Sequence, residues 1–358
     1  MPQPVTVPLQ LDPNEASDLA LIDEPGLLAA EGWDRAYLTV LDEGRVEDCI
    51  AVLGHAAGAP LASGWSSHRL RFTPQGDTRR TEDAEAIAIW DGVAWVFGSH
   101  FGSKSGPLQP RRQFVARFRL DELGSGLHGA RPPLEIARTR FRLHRAINDA
   151  LMTAAIDVLP LGDAAREAFV DATVAKGLEG GKRWAEHARL GDWPLNIEGT
   201  AFRAGGTLLV GLRFPVTAQG NPILVELPDP EALFRQDDPP PATGAVWWLE
   251  TGAAATPTGV RALHHSGADR FQVVVGSLDA DGKDSVVLDA HPEGADSPSA
   301  HWTFTLPALA SGGPVTARLV HDLHGLSRVE GVADGPDGHA LYVVDEESHV
   351  DLRFLLVE

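Results

Sequence analysis

The stretch from Leu195 to Leu227, LNIEGTAFRAGGTLLVGLRFPVTAQGNPILVEL, limits what the chain can fold into more than any other, because its pattern recurs. It reads as strand, Gly turn, strand, loop, strand. Glu82 to His100 and Ser327 to Glu347 repeat it: a carboxylate (Glu198, Glu85 or Glu330) opens the first strand, a Gly-bearing turn follows, and a solid apolar run ends in a charged or imidazole residue. A fixed period of this kind decides the architecture, since each unit buries its apolar faces only against its neighbours. First strands mark copies near Ser17, Asp83, Leu195, Pro257 and Ser327, at intervals of 66, 112, 62 and 70 residues. The long interval holds an insertion, Ala- and Leu-rich over Arg145 to Lys176, with Asp163 placed to cap a helix and Gly177 placed to stop it. Ala165, Ala168, Phe169 and Ala172 follow helical spacing, so a helical insertion near 145–190 is expected on the side of a strand-rich body.

Within a copy the strands can be named. The second gives Glu85 to Trp90, Val93 to Ser99, Gln113 to Leu120 and Leu134 to Leu143, each rich in β-branched or aromatic residues and bounded by Gly, Pro or Asp. Four-stranded units repeated radially are the blades of a β-propeller. The copy that begins at Ser327 has only three strands before the chain stops, whereas Val5 to Leu11 is strand-like and belongs to no copy of its own. Pairing that N-terminal strand into the last blade closes the ring and removes an open edge. The expectation is an all-β chain, one β-propeller domain over residues 1–358 with five four-stranded blades, or six if one hides around the helical insertion. A pair of packed β-domains is the alternative.

Composition narrows the function. Fifty acids against 30 bases, a formal charge of -20, argue against a nucleic-acid or anionic-membrane partner, which need clustered Lys and Arg. The N-terminus lacks a basic start followed by an apolar core, and no run of 18 apolar residues follows, so a cytoplasmic location is expected. The single cysteine, Cys49, leaves no internal disulfide and no Cys-based zinc cluster. The signatures G-x-S-x-G, H-E-x-x-H and G-x-x-x-x-G-K-[ST] are absent.

The repeat itself points to a site. In a propeller the first strand of each blade lines the axis, and the second strand ends beside its start. His100 lies 15 residues after Glu85, Arg213 lies 15 after Glu198, and Glu346, preceded by Asp345, lies 16 after Glu330. The first copy ends its second strand with Asp42 and Glu43, and the fourth has Thr258 or Gly259 where the others carry Glu. One rim would thus gather Glu85, Glu198, Glu330, Asp42, Glu43, Asp345 and Glu346 against His100 and Arg213. Such carboxylates raise one another's pKa, recruit a cation, or lock the ring by pairing with Arg213 and Arg328. Calcium is the candidate cation, with Asn196 and backbone carbonyls completing six to eight oxygens. The loop Gly98 to Gln113 brings Lys104, Arg111 and Arg112 over the same rim and suits an anionic ligand.

The phrases AEAIAIWDGVAWVFGSHFGSKSGPLQPRRQFVARFRL and NIEGTAFRAGGTLLVGLRFPV resemble a bacterial family catalogued as a domain of unknown function, from about Asp83 onward. That resemblance implies a propeller-like fold. The openings at Glu85 (EAIAI), Glu198 (EGTAF) and Glu330 (EGVAD) are also similar to the E-G-h-A-h opening of esterase-like propellers grouped with phytases, which implies an acidic rim holding calcium and phosphate. The resulting expectation is a small anionic ligand on the rim and a calcium-assisted hydrolase of phosphate or carboxylic esters. In it the metal polarises the scissile group, His100 transfers a proton and Glu198 and Arg213 position the reactants. The alternative is a non-catalytic scaffold that docks a protein partner on the helical insertion.

Overall fold

The computed structural model describes residues 4–11, 15–41, 44–235, 239–279, 285–295, 297–308, 312–326, 328–346 and 349–357. Five sheets account for the strands of these residues, and the chain is a β-propeller. Strand β1 (Val5–Leu9) precedes blade 1, which is β2 (Ala16–Ile22), β3 (Trp33–Leu41), β4 (Ile50–Ala56) and β5 (Trp65–Leu70). Blade 2 comprises β6 (Thr73–Gly76), β7 (Ala84–Trp90), β8 (Val93–Gly98), β9 (Phe114–Arg119) and β10 (Pro133–Arg138), with β6 added parallel to β10. Blade 3 is β11 (Asn196–Phe202), β12 (Leu208–Val216), β13 (Pro222–Leu227) and β14 (Val246–Leu249). Blade 4 starts with β15 (Gly259–His265), β16 (Arg270–Gly276) and β17 (Ala300–Thr305); β18 (Gly313–Val315) then returns to blade 3, parallel to β14, before β19 (Arg318–Asp322) completes blade 4. Blade 5 is β20 (Val329–Asp334), β21 (His339–Asp345) and β22 (Val350–Leu356), and β1 pairs antiparallel with β22 as its fourth strand.

The innermost strands close a ring: β2 packs on β7, β7 on β11, β11 on β15, β15 on β20, and β20 on β2. There is no sixth sheet among the described residues, and the ring excludes two separate β-domains. Strands near the axis are apolar on both faces because each blade is sandwiched between two others. β11, β12 and β13 are buried at every residue, whereas the outer strands β5 and β19 are mostly exposed or half-buried. The core is therefore a set of slabs between blades, one such slab joining Trp95 and Phe97 of blade 2 to Leu208, Val210 and Ile223 of blade 3. The β7–β8 hairpin turns on Asp91 and Gly92 at φ 48° and 71°, the two left-handed residues that a two-residue turn matching the strand twist requires.

The long interval between blades 2 and 3 is helical: Arg142–Thr153, then Asp163–Ala165, a π-type turn over Arg166–Asp171, and Ala172–Glu179. Two details differ from the sequence reading. Asp163 sits inside the first turn behind Gly162 and makes no capping bond, and Gly177 lies within a helix that runs on to Glu179. Gly177 is there for contact, since a Cβ would stand 2.8 Å from Ala185 and Trp184. The segment packs through Phe169 and Val170 on Phe101, Phe214 and Leu278, residues just past β8, on β12 and past β16. It covers one end of the propeller rather than its side. Among the described residues no helix is long and apolar enough to cross a membrane.

Candidate functional site

Every inner strand breaks register with its neighbour, and β11 does so a second time between Asn196 and Ile197. The shifts fall between Ser17 and Ala20, Ala84 and Ala86, Ile197 and Gly199, Val260 and Ala262, and Val329 and Gly331. A bulge leaves one residue out of the ladder, bends the strand and re-aims that side chain. The residues so released are Asp18 with Leu19 in blade 1, Glu85 in blade 2, Glu198 in blade 3, Arg261 in blade 4 and Glu330 in blade 5. Gly199 follows Glu198 because a Cβ there would meet Val260 and Leu263 of the adjoining inner strand at 2.9 Å.

Four of these residues, Glu85, Glu198, Arg261 and Glu330, line one cavity of about 690 Å³ together with Arg213 and Asp345. The fourth blade thus contributes Arg261, two residues beyond the Gly259 that the repeat pattern aligned with the glutamates. Sequence reasoning missed this arginine, although its neighbour Ala262 pairs on β16 as Gly199 pairs on β12. Arg261 Nη1 stands 3.1 Å from Glu198 Oε2, and its Nη2 pairs with Glu330 Oε1. Arg213 Nη1 donates to Glu198 Oε1 at 2.7 Å and its Nε to the Ser277 carbonyl at 2.9 Å, while Asn196 Nδ2 donates to Glu198 Oε1 at 3.0 Å. Burial works against the charge on Arg261, but the carboxylates of Glu198, Glu330 and Glu85 outweigh it and hold its pKa above the ordinary arginine value. Burial raises the Asp345 carboxyl to about 6, with Glu330 adding to the rise and Arg328, 3.7 Å away, opposing it. At that value the Asp345 carboxyl changes protonation near neutrality.

Hairpin length sorts the remaining candidates. Ala84 pairs with Gly98 in blade 2, Ile197 with Leu212 in blade 3 and Val329 with Val344 in blade 5. The counterpart of Arg213 is therefore Ser99 in blade 2 and Asp345 in blade 5, one residue before His100 and Glu346. The β7–β8 turn is a residue shorter than the β11–β12 turn, and a one-residue offset sends a side chain to the opposite face. His100 is accordingly not at the rim: it is fully buried, its Nδ1 donates to the Gly98 carbonyl at 2.8 Å, and its Nε2 accepts from Thr139 Oγ1 at 3.1 Å. Burial depresses its pKa to about 4, so it is neutral and enclosed, unsuited to proton transfer with a ligand. Glu346 lies outside the cavity and pairs with Arg353 at 3.4 Å.

The basic loop does not reach the cavity either. Arg111 pairs with Glu82, Arg112 with Glu82 at 3.3 Å and Asp83 at 2.9 Å, and neither they nor Lys104 line it. Asn196 acts through Glu198. Asp42 and Glu43 lie outside the described residues. The donor set does not fit calcium: a guanidinium stands between the two carboxylates that would hold the ion, and among the described residues no three His, Cys, Asp or Glu side chains group closely enough to share one. What the described lining does offer is five carboxylates (Glu15, Glu85, Glu198, Glu330, Asp345), three arginines (Arg213, Arg261, Arg328), one imidazole (His324), four serines and no Phe, Tyr or Trp.

No family model matches the chain, and no curated protein matches it, so the family resemblance read from its sequence is not established. Among solved structures it is similar to PhoX of Pseudomonas fluorescens in complex with vanadate, at 9% identity and TM-score 0.45 over 96% of this chain and 89% of that one. It is similar to the GH43 endo-arabinanase of Bacillus licheniformis at 12% identity and TM-score 0.40 over 96% and 95%. It also aligns with YCF48 bound to a D1 peptide at 8% identity and TM-score 0.34, covering 90% of this chain and spanning 61% of that one.

Proposed function

We propose that the axial cavity binds a small hydroxyl-rich ligand, neutral or positively charged, and exchanges a proton with it through Asp345. The observation that carries this reading is the lining: carboxylates outnumber guanidinium groups five to three among the described residues. Carboxylates accept hydrogen bonds from hydroxyl or ammonium groups, serine hydroxyls do either, and no aromatic face invites a planar ring. An anion fits less well, because Arg213 and Arg261 already serve Glu198 and Glu330, and a phosphate would have to break those charged pairs in a net-acidic space. A cavity of about 690 Å³ lies within the range of small-molecule sites. A carboxyl with pKa about 6 is matched to acid–base exchange near neutral pH.

Isothermal titration calorimetry with polyols, aminopolyols and their phosphate esters tests it. The unphosphorylated compounds should bind about tenfold or more tightly than their esters, and Glu330→Gln should weaken them by about tenfold, the loss of one charged hydrogen bond. Affinity should change across pH 6 in the wild type and change less there in Asp345→Asn. Preference for the phosphate esters would refute the proposal.

A further inference from the structure

We infer that Arg261 is the resident cation of the axial carboxylates, standing where a divalent ion would otherwise sit, so that the site works without metal and loss of this guanidinium opens it to calcium. The inference concerns the cation and holds whichever ligand the cavity takes. Its basis is positional and electrostatic. Arg261 occupies in blade 4 the bulge that presents Glu85, Glu198 and Glu330 in the neighbouring blades, so its side chain enters the same cavity from the same level. It bridges blades 3 and 5 through Glu198, at 3.1 Å, and Glu330, and Glu85 adds to the field that keeps it charged.

The oxygens around it exceed what the guanidinium satisfies. Glu198 Oε2 makes an ion pair but no hydrogen bond, and the amide oxygen of Asn196, a residue 6% exposed, has no donor. Two carboxylates, a buried amide oxygen and the nearby Asp345 are the hard oxygen donors from which calcium builds a six- to eight-fold shell. With Arg261 in place an incoming divalent ion meets a fixed positive charge between Glu198 and Glu330, which cancels much of the attraction of the two carboxylates and occupies the space between them. Arginine stays ionised at any pH the fold survives and needs no supply from outside, so the carboxylates stay neutralised without metal.

The test compares wild type, Arg261→Ala, Arg261→Gln and Arg261→Lys by thermal unfolding and calorimetry in calcium chloride and in EDTA. Wild type and Arg261→Lys should show the same midpoint in both. Arg261→Ala or Arg261→Gln should bind calcium on the order of a hundredfold more tightly than wild type, with a higher midpoint in calcium than in EDTA, and adding Glu330→Gln should abolish the gain. Stabilisation of the wild type by calcium, or the absence of any calcium response in both neutral variants, folded or not, would overturn the inference.

Discussion

Asp18 shows how much one side chain can hold at the centre of a ring. It and Leu19 stand opposite the single residue Thr39, at φ 55°, and its carboxylate is fully buried. Oδ1 accepts the Leu19 N–H at 2.9 Å and Oδ2 the Ile87 N–H at 3.0 Å. Burial lifts its pKa well above the ordinary value, and the backbone N–H groups of Ile87, Leu19, Thr200 and Leu263 pull the other way. Those four belong to the inner strands of blades 1 to 4, so Asp18 ties four sheets at the axis. Asp18→Ala should cost about 2–4 kcal/mol in chemical denaturation, because it strands buried donors, while Asp18→Asn, which keeps one acceptor, should cost less. Equal losses in the two variants would assign the effect to volume. Nothing in the phrase ASDLALI announces this role; it lacks the Glu-x-x-Ala opening that Glu85, Glu198 and Glu330 share. Glu85, Glu198 and Glu330 were legible because that opening recurs, and Arg261 was not, because a basic residue breaks the pattern while keeping the geometry.

At the scale of the strand, closure of blade 5 by β1 carries a separate expectation. Val7 and Leu9 are buried and the β1–β22 register runs from Val5 opposite Phe354 to Leu9 opposite Val350. Removing residues 1–11 should lower stability by about 3–5 kcal/mol from lost apolar burial and leave β22 as an open edge, so the truncated chain should self-associate in size-exclusion chromatography. An unchanged midpoint would make β1 dispensable. Strand identity was readable because solid apolar runs between Gly, Pro and Asp mark buried strands, and the incomplete last copy implied a missing partner. The bulges were not readable, since crowding of neighbouring inner strands sets them, as at Gly199 against Leu263. Counting along the hairpins put His100 and Glu346 where Ser99 and Asp345 belong, because the hairpin of blade 2 is a residue shorter than that of blade 3 and the hairpin of blade 5 is no longer than it.

Across the whole molecule, two enclosed neutral histidines should tie stability to pH. Burial lowers His100 to about 4 and His301 to about 3; the latter, whose Nδ1 meets the Tyr342 hydroxyl at 2.6 Å, lies between blades 4 and 5. Their unfolded value is about 6.5. As pH falls below that value the unfolded chain takes up the protons and the folded one does not, so each histidine costs stability down to its own folded pKa. Asp18 and Asp345, with raised pKa values, act in the opposite direction, and comparison with a His variant cancels them. Between pH 6.5 and 4 the stability of wild type relative to His100→Gln should fall by about 1.4 kcal/mol per pH unit in urea titrations. A difference that does not vary with pH would mean that His100 is charged or exposed.

The bulges have one more consequence. The residue each inner strand leaves unpaired owes nothing to strand pairing, so its identity can change while every blade keeps its partners. Four addresses around the cavity, Glu85, Glu198, Arg261 and Glu330, can be rewritten singly while Asp18 holds the inner strands, and a scaffold of this kind can acquire a new chemical preference by editing a handful of codons and no architecture.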